Sequence, residues 1–135
     1  NNKMKKILIV YANYYPNISK SLRLNSEKIL KREKVKFKSF RVTGVFEIPV
    51  VISKYIHKYD ACIALGCVIK GETSHYDFIC NSTFNSIMNI AVKNKKPIGN
   101  GIITVDNLTQ ASKRKNKKGI EAAKAVTSIL FNEPK

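Results

Sequence analysis

The stretch Ala64-Leu65-Gly66-Cys67-Val68-Ile69-Lys70-Gly71-Glu72-Thr73-Ser74-His75 decides how this chain is read. An apolar run from residue 61 to 69 has the length of a buried strand. It ends in a glycine-containing turn, and the spacing predicts that the turn opens directly into a helix. Such a turn aims backbone N–H groups beyond the sheet, and the helix dipole adds positive potential there. The pattern therefore predicts an anion site. His75 lies within one turn of it and is one of only two histidines in the chain. Histidine is the side chain suited to moving protons near neutral pH. An anion cradle beside it points to chemistry on a small phosphorylated molecule.

The segments on either side repeat the same logic. Residues 5–11 (KILIVYA) read as a buried strand, and residues 13–17 as a turn. Ile18, Leu22, Ile29 and Leu30 then recur at helical spacing to about Glu33. Residues 35–42 (VKFKSFRV) alternate as a strand with one less buried face, and Thr43-Gly44 is a turn. Residues 47–57 carry the helical face Ile48, Val51, Ile52, Tyr55 and Ile56, with Pro49 tolerated in the first turn. After the strand at 61–69, Thr73 or Ser74 is expected to cap a helix, with Asp77 completing a capping box. Pro97 stops that helix, and residues 98–105 form a fourth strand. The spacing then predicts a short helix over 108–114, a basic loop, and a last helix over 119–131.

Buried strands alternating with helices, without hairpin signals, require right-handed crossovers and a parallel sheet covered on both faces. Ligands of such sheets lie beyond the carboxyl strand ends. The turns at 13–15, 44–47, 70–75 and 104–107 should meet there.

A chain of 135 residues reads as a single domain, 1–135, able to bury roughly two-thirds of its unfolded surface. No run is long and apolar enough for a membrane span. The opening residues 1–6 lack the apolar core of a leader. The three cysteines, Cys62, Cys67 and Cys80, match no zinc spacing and read as buried thiols of a reduced, cytoplasmic compartment. The net charge of +16 raises nucleic-acid binding. It is discounted because 21 of the 25 basic residues are Lys and only 4 are Arg, the better reader of phosphates and bases. No nucleic-acid or membrane partner is expected.

The motifs resemble those of the lumazine synthase family. Thr43-Gly44-Val45-Phe46-Glu47-Ile48-Pro49 is similar to its Pro-Gly-Ala-Phe-Glu-Ile-Pro turn, and residues 65–77 (LGCVIKGETSHYD) to its Leu-Gly-x-Val-Ile-Arg-Gly-x-Thr-x-His run. Residues 97–107 and 110–114 resemble its later blocks in order, so the likeness runs from residue 5 to about 130. It implies a flavodoxin-like α/β/α three-layer sandwich with a four-stranded parallel sheet. It also implies a transferase of riboflavin biosynthesis. That enzyme condenses 5-amino-6-ribitylaminouracil with 3,4-dihydroxy-2-butanone 4-phosphate, releasing phosphate and water, with no metal or organic cofactor.

The resemblance assigns roles residue by residue. His75 matches the proton-transferring histidine. Glu72, Thr73 and Arg114 match phosphate-binding positions, with Glu72 expected to bind through its backbone while its side chain turns away. Tyr14 matches an aromatic residue that stacks on the heterocycle, with Tyr15 one residue out of register. Val45, Phe46 and Glu47 match the turn that binds the ribityl chain, and Cys67, Val68 and Ile69 the strand end that meets the pyrimidine. Asn100 stands where the family often has Phe, and Lys70 where it has Arg, which keeps the charge and loses the fork.

The family's sites lie between subunits, with Arg114 and Asn100 supplied by a neighbour, so a homopentamer is expected. Shell-forming members carry a glycine-containing linker between the last two helices. The shorter run 114–119 (RKNKKG) has no internal glycine, and only four residues precede the first strand, so a bare pentamer is expected. Read without catalysis, the same motifs would describe a flavin- or lumazine-binding relative, and the charge alone an RNA-associated protein.

Overall fold

The computed structural model describes residues 5–135. Residues 1–4, read above as free of a leader's apolar core and too few for an added strand, lie outside that range. The elements follow in the order β1 (Lys6–Ala12), α1 (Pro16–Arg32), β2 (Lys36–Val42), α2 (Ile48–Tyr55), β3 (Ala61–Ile69), α3 (Tyr76–Asn94), β4 (Ile98–Val105) and α4 (Leu108–Leu130). All strand pairs are parallel, in the order β2-β1-β3-β4. This is the expected three-layer α/β/α, flavodoxin-like fold with a four-stranded parallel sheet.

Period-two alternation divides the strands between two cores. On one face Ile7, Ile9, Ile63, Leu65 and Ile103 pack with Leu22 and Leu30 of α1 and Ala123 and Val126 of α4. On the other, Leu8, Val10, Ala64 and Ile102 pack with Ile48 and Ile52 of α2 and with Cys80 and Ile87 of α3. Each fully buried Ile or Leu contributes about 1.5–3 kcal/mol. Every residue of β3 is buried, as its continuous apolar run requires.

Two expectations are corrected. The alternation of β2 predicts one buried face, yet Val42 is its only buried residue. At the sheet edge β2 pairs on one side only, and the helices cover the central strands instead. The short helix, basic loop and final helix are one continuous helix, Leu108–Leu130. Gly119, expected as the first residue of the last helix, lies inside α4, which needs it. A Cβ there would stand 2.5 Å from the Leu22 carbonyl oxygen of α1. The glycine permits close helix packing, and that burial outweighs its low helix propensity.

Candidate functional site

The order β2-β1-β3-β4 reverses direction between β1 and β3, and the carboxyl ends of these strands frame a cleft of about 230 Å³. Tyr14 and Tyr15 come from the turn after β1. Gly44, Val45 and Phe46 follow β2. Cys67, Val68 and Ile69 end β3, Glu72 and Thr73 follow it, and Ile79 enters from α3. Of the predicted residues, Tyr14, Val45, Phe46, Cys67, Val68, Ile69, Glu72 and Thr73 are thus brought together. Tyr15, Gly44 and Ile79 join them. Tyr15 was visible in sequence only as a register alternative, and Gly44 and Ile79 carried no signal beyond turn and core.

Gly66 shapes the floor. A Cβ there would lie 2.6 Å from Val45 Cγ1 and 3.2 Å from Ala12 Cβ. The missing side chain is the notch in which the turn after β2 sits. That turn is a 3-10 segment, Val45–Glu47. The Gly44 N–H donates to Glu47 Oε1 at 2.9 Å. One oxygen of the Glu47 carboxylate closes its own turn, and the other keeps acceptor capacity for a hydroxyl.

The cradle differs from its sequence reading. A 3-10 segment, Lys70–Glu72, follows β3, and α3 begins only at Tyr76, with His75 as its N-cap residue and no side-chain cap. The capping box of Ser74 and Asp77 does not form. Instead Thr73 Oγ1 accepts from the His75 N–H at 3.2 Å. That local bond competes with helix geometry, as short hydroxyl side chains do, so residues 73–75 stay outside the helix. The fourth turn reaches the same place, since a Cβ on Gly71 would lie 3.5 Å from the Asp106 carbonyl oxygen.

The Tyr15 hydroxyl donates to Glu72 Oε1 at 3.5 Å, joining turns 57 residues apart in the chain. Burial, then the Glu72 charge, pushes the Tyr15 phenol up to about 12. Tyr15 also meets Tyr14 edge to face, with ring centroids 5.0 Å apart. Tyr14 itself is 67% exposed, its ring open to a stacking partner. Burial, then Glu72, raises the Cys67 thiol to about 11, so it lines the cleft as a neutral, weakly polar wall.

Four predicted residues lie outside the cleft lining: Glu47, which ends the turn beside it, and three that stand further off. His75 is exposed at the start of α3, outside the cleft lining. Asn100 is exposed on β4, where its Oδ1 accepts from the Ile102 N–H at 3.0 Å. Arg114 lines a separate opening of about 350 Å³ with Ile102, Ile103, Thr104, Lys113, Lys117, Lys118 and Glu121. Among the described residues, no three His, Cys, Asp or Glu side chains group as a metal site, and no helix is long and apolar enough to cross a membrane.

Fold and cleft define a doubly wound α/β protein with its candidate site at the topological switch point. A solved structure described as the ABC domain in complex with L-Trp, from Streptococcus pneumonia, shares that fold. Its TM-score is 0.51 at 17% identity, covering 96% of this chain and 41% of that one. The family profile described as 6,7-dimethyl-8-ribityllumazine synthase matches residues 4–132. Relatives bearing that name include one from Beijerinckia indica, 36% identical over 92% of this chain and 73% of its own. Another, from Bartonella tribocorum, is 36% identical over 97% and 92% respectively. The chain belongs to the 6,7-dimethyl-8-ribityllumazine synthase family.

Proposed function

We propose that the chain catalyses the reaction of its family in riboflavin biosynthesis, at the cleft between β1 and β3. The substrates are 5-amino-6-ribitylaminouracil and 3,4-dihydroxy-2-butanone 4-phosphate. The observation that carries this reading is the convergence of an aromatic turn, a ribityl-type turn, a strand end and a phosphate-type cradle on one cleft. Tyr14 stacks on the heterocycle. The strand end at 67–69 meets the pyrimidine through backbone groups. The turn at 45–47 takes the ribityl hydroxyls, with the free oxygen of Glu47 as acceptor. Gly71 and Thr73 present N–H groups and a hydroxyl to the phosphate.

The chemistry is imine formation between amine and ketone with loss of one water, elimination of phosphate, and ring closure with loss of a second water. Each step needs a proton moved and two reactants aligned. His75, beside the cradle, moves protons between the imine nitrogen and the departing phosphate. No side chain is required as a nucleophile, and the raised thiol of Cys67 fits that role poorly. No cofactor enters the scheme.

The working unit is a homopentamer whose neighbours complete each site. A cleft of about 230 Å³ is small for two substrates, since ligand pockets run to about 300–1,000 Å³. The cationic opening around Arg114 is lined by residues 102–104 of β4 and by α4; in the proposed pentamer it faces the cleft of a neighbour. Phe46, Val50, Phe78, Met88 and Val92 are apolar and more than half exposed, and Phe46 and Phe78 stack with centroids 6.5 Å apart. An apolar surface of this kind marks a protein contact. The three buried free thiols fit a cytoplasmic setting.

Mixing the protein with both substrates is the test. The expected result is phosphate release coupled to formation of the lumazine chromophore. Binding of the ribityl compound without phosphate release would overturn the catalytic reading in favour of a binding protein. Steeply salt-dependent binding to single-stranded RNA, with no effect of the substrates, would favour the basic RNA-associated reading.

A further inference from the structure

Glu72 sets an electrostatic problem. It lies in the Lys70–Glu72 turn, next to Thr73, where the proposed reaction places a phosphate. A carboxylate beside a phosphate repels it and raises the cost of binding both charges together. Among the described residues no salt bridge reaches Glu72. The side chain that reaches it is the Tyr15 hydroxyl, across the cleft in sequence and structure.

Tyr15 is held from three sides. Its ring packs against the core between the sheet and helices α1 and α4. Its face meets Tyr14 edge to face at 76°. It is the N-cap residue of α1 and precedes Pro16, the first residue of that helix, so its backbone has little freedom. The Glu72 side chain is exposed and carries no such packing. In this pair the tyrosine is the fixed member and the carboxylate the movable one.

We infer that Tyr15 is a positioning residue, whose hydroxyl holds the Glu72 carboxylate toward the turn after β1 and keeps its charge out of the phosphate cradle. The inference rests on the phosphate reading of residues 71–73 given above. With Glu72 tethered, the cradle presents the Thr73 hydroxyl and the backbone N–H groups instead. The phenol remains a donor throughout the neutral range, because burial and the neighbouring carboxylate both favour its protonated form. The same bond ties the aromatic turn to the cradle, so the heterocycle and the phosphate are set at a fixed separation.

The test compares the full chain with Tyr15→Phe, Glu72→Gln and the double variant. Calorimetry with inorganic phosphate reads the cradle alone, and steady-state kinetics read it in turnover. Loss of a hydrogen bond to a charged group predicts about tenfold weaker phosphate binding in Tyr15→Phe. KM for the butanone phosphate rises by the same factor, and kcat changes by less than about twofold. Glu72→Gln binds phosphate at least as tightly as the parent. The double variant recovers the parent affinity, because the charge that the hydroxyl restrained is gone.

Unchanged phosphate affinity in Tyr15→Phe overturns the inference. So does a double variant as weak as Tyr15→Phe, which would make the tyrosine a packing residue only. A parent that binds phosphate with this mutant pattern but turns over neither substrate would sink the condensation reading and leave the tether standing. Phenylalanine keeps the ring packing, and Glu72 is exposed, so both variants preserve the fold.

Discussion

Gly119 of α4 meets the backbone of Leu22 in α1, where a Cβ would stand 2.5 Å from the Leu22 carbonyl oxygen. The two helices touch main chain to main chain at this point. The Ser26 hydroxyl donates to the Gly119 carbonyl at 2.7 Å, and Ser21 and Asn25 both reach Asn116. Gly119→Ala adds a methyl where the obstacle is backbone rather than a yielding side chain. The expected cost is about 1–3 kcal/mol, the range for overpacking, measured as a lower urea midpoint. A midpoint equal to or above the parent's would contradict the close approach.

His75→Ala should slow turnover by about 10²-fold or less, the contribution of one acid–base group. Imine chemistry retains an uncatalysed route, and alignment of the two substrates supplies the remainder. A folded variant with parental kcat would remove His75 from the mechanism.

Gly66→Ala pushes the Val45 turn off its notch in β3, where Val45 Cγ1 would be 2.6 Å from the new methyl. Displacing a positioning turn by about an ångström costs up to about 10² in rate. The loss should fall on kcat/KM for the ribityl substrate and leave inorganic phosphate binding intact. Equal loss at both substrates would mean general unfolding of the cleft.

Alkaline pH should weaken the fold in two stages. The Cys62 and Cys67 thiols are raised to about 12 and about 11, and the Tyr15 phenol to about 12. The native state therefore holds these protons more tightly than the unfolded chain. Stability is full below the unfolded values and falls as pH rises through the folded ones. Loss begins near pH 9 with the thiols and steepens above pH 10 with the phenol. Tyr15→Phe should flatten the decline between about pH 10 and 12 in urea titrations. An unchanged slope would exclude Tyr15 as its source.

Hybrid oligomers test the shared site. Chains carrying Arg114→Ala and chains carrying Glu47→Gln, inactive apart, should regain partial activity when mixed, because some interfaces then pair two intact halves. Sedimentation should give about five times the chain mass of 15.3 kDa. A stable, active monomer would refute the interface assignment, and a species near sixty chains would refute the bare pentamer.

Much of this protein was legible in one dimension. The apolar run of β3, the helical spacing of Ile18, Leu22, Ile29 and Leu30, and the punctuation at Gly44 and Pro97 report short-range geometry, with periods of 2 and 3.6 residues. Their alternation dictated a parallel sheet, and the parallel sheet dictated which loops share an edge. The motifs around Gly44 and His75 carry the family likeness in the sequence itself. What the tertiary structure decided depends on partners distant in sequence. Only the packing of α4 on α1 turned residues 115–118 from a predicted loop into mid-helix. Only the edge position of β2 left its alternating face uncovered. Only the meeting of Tyr15 and Glu72, 57 residues apart, gave the carboxylate a direction. Local pattern fixes what a segment prefers, but a close approach or a tether exists only once two segments meet, and no periodicity along the chain encodes that meeting.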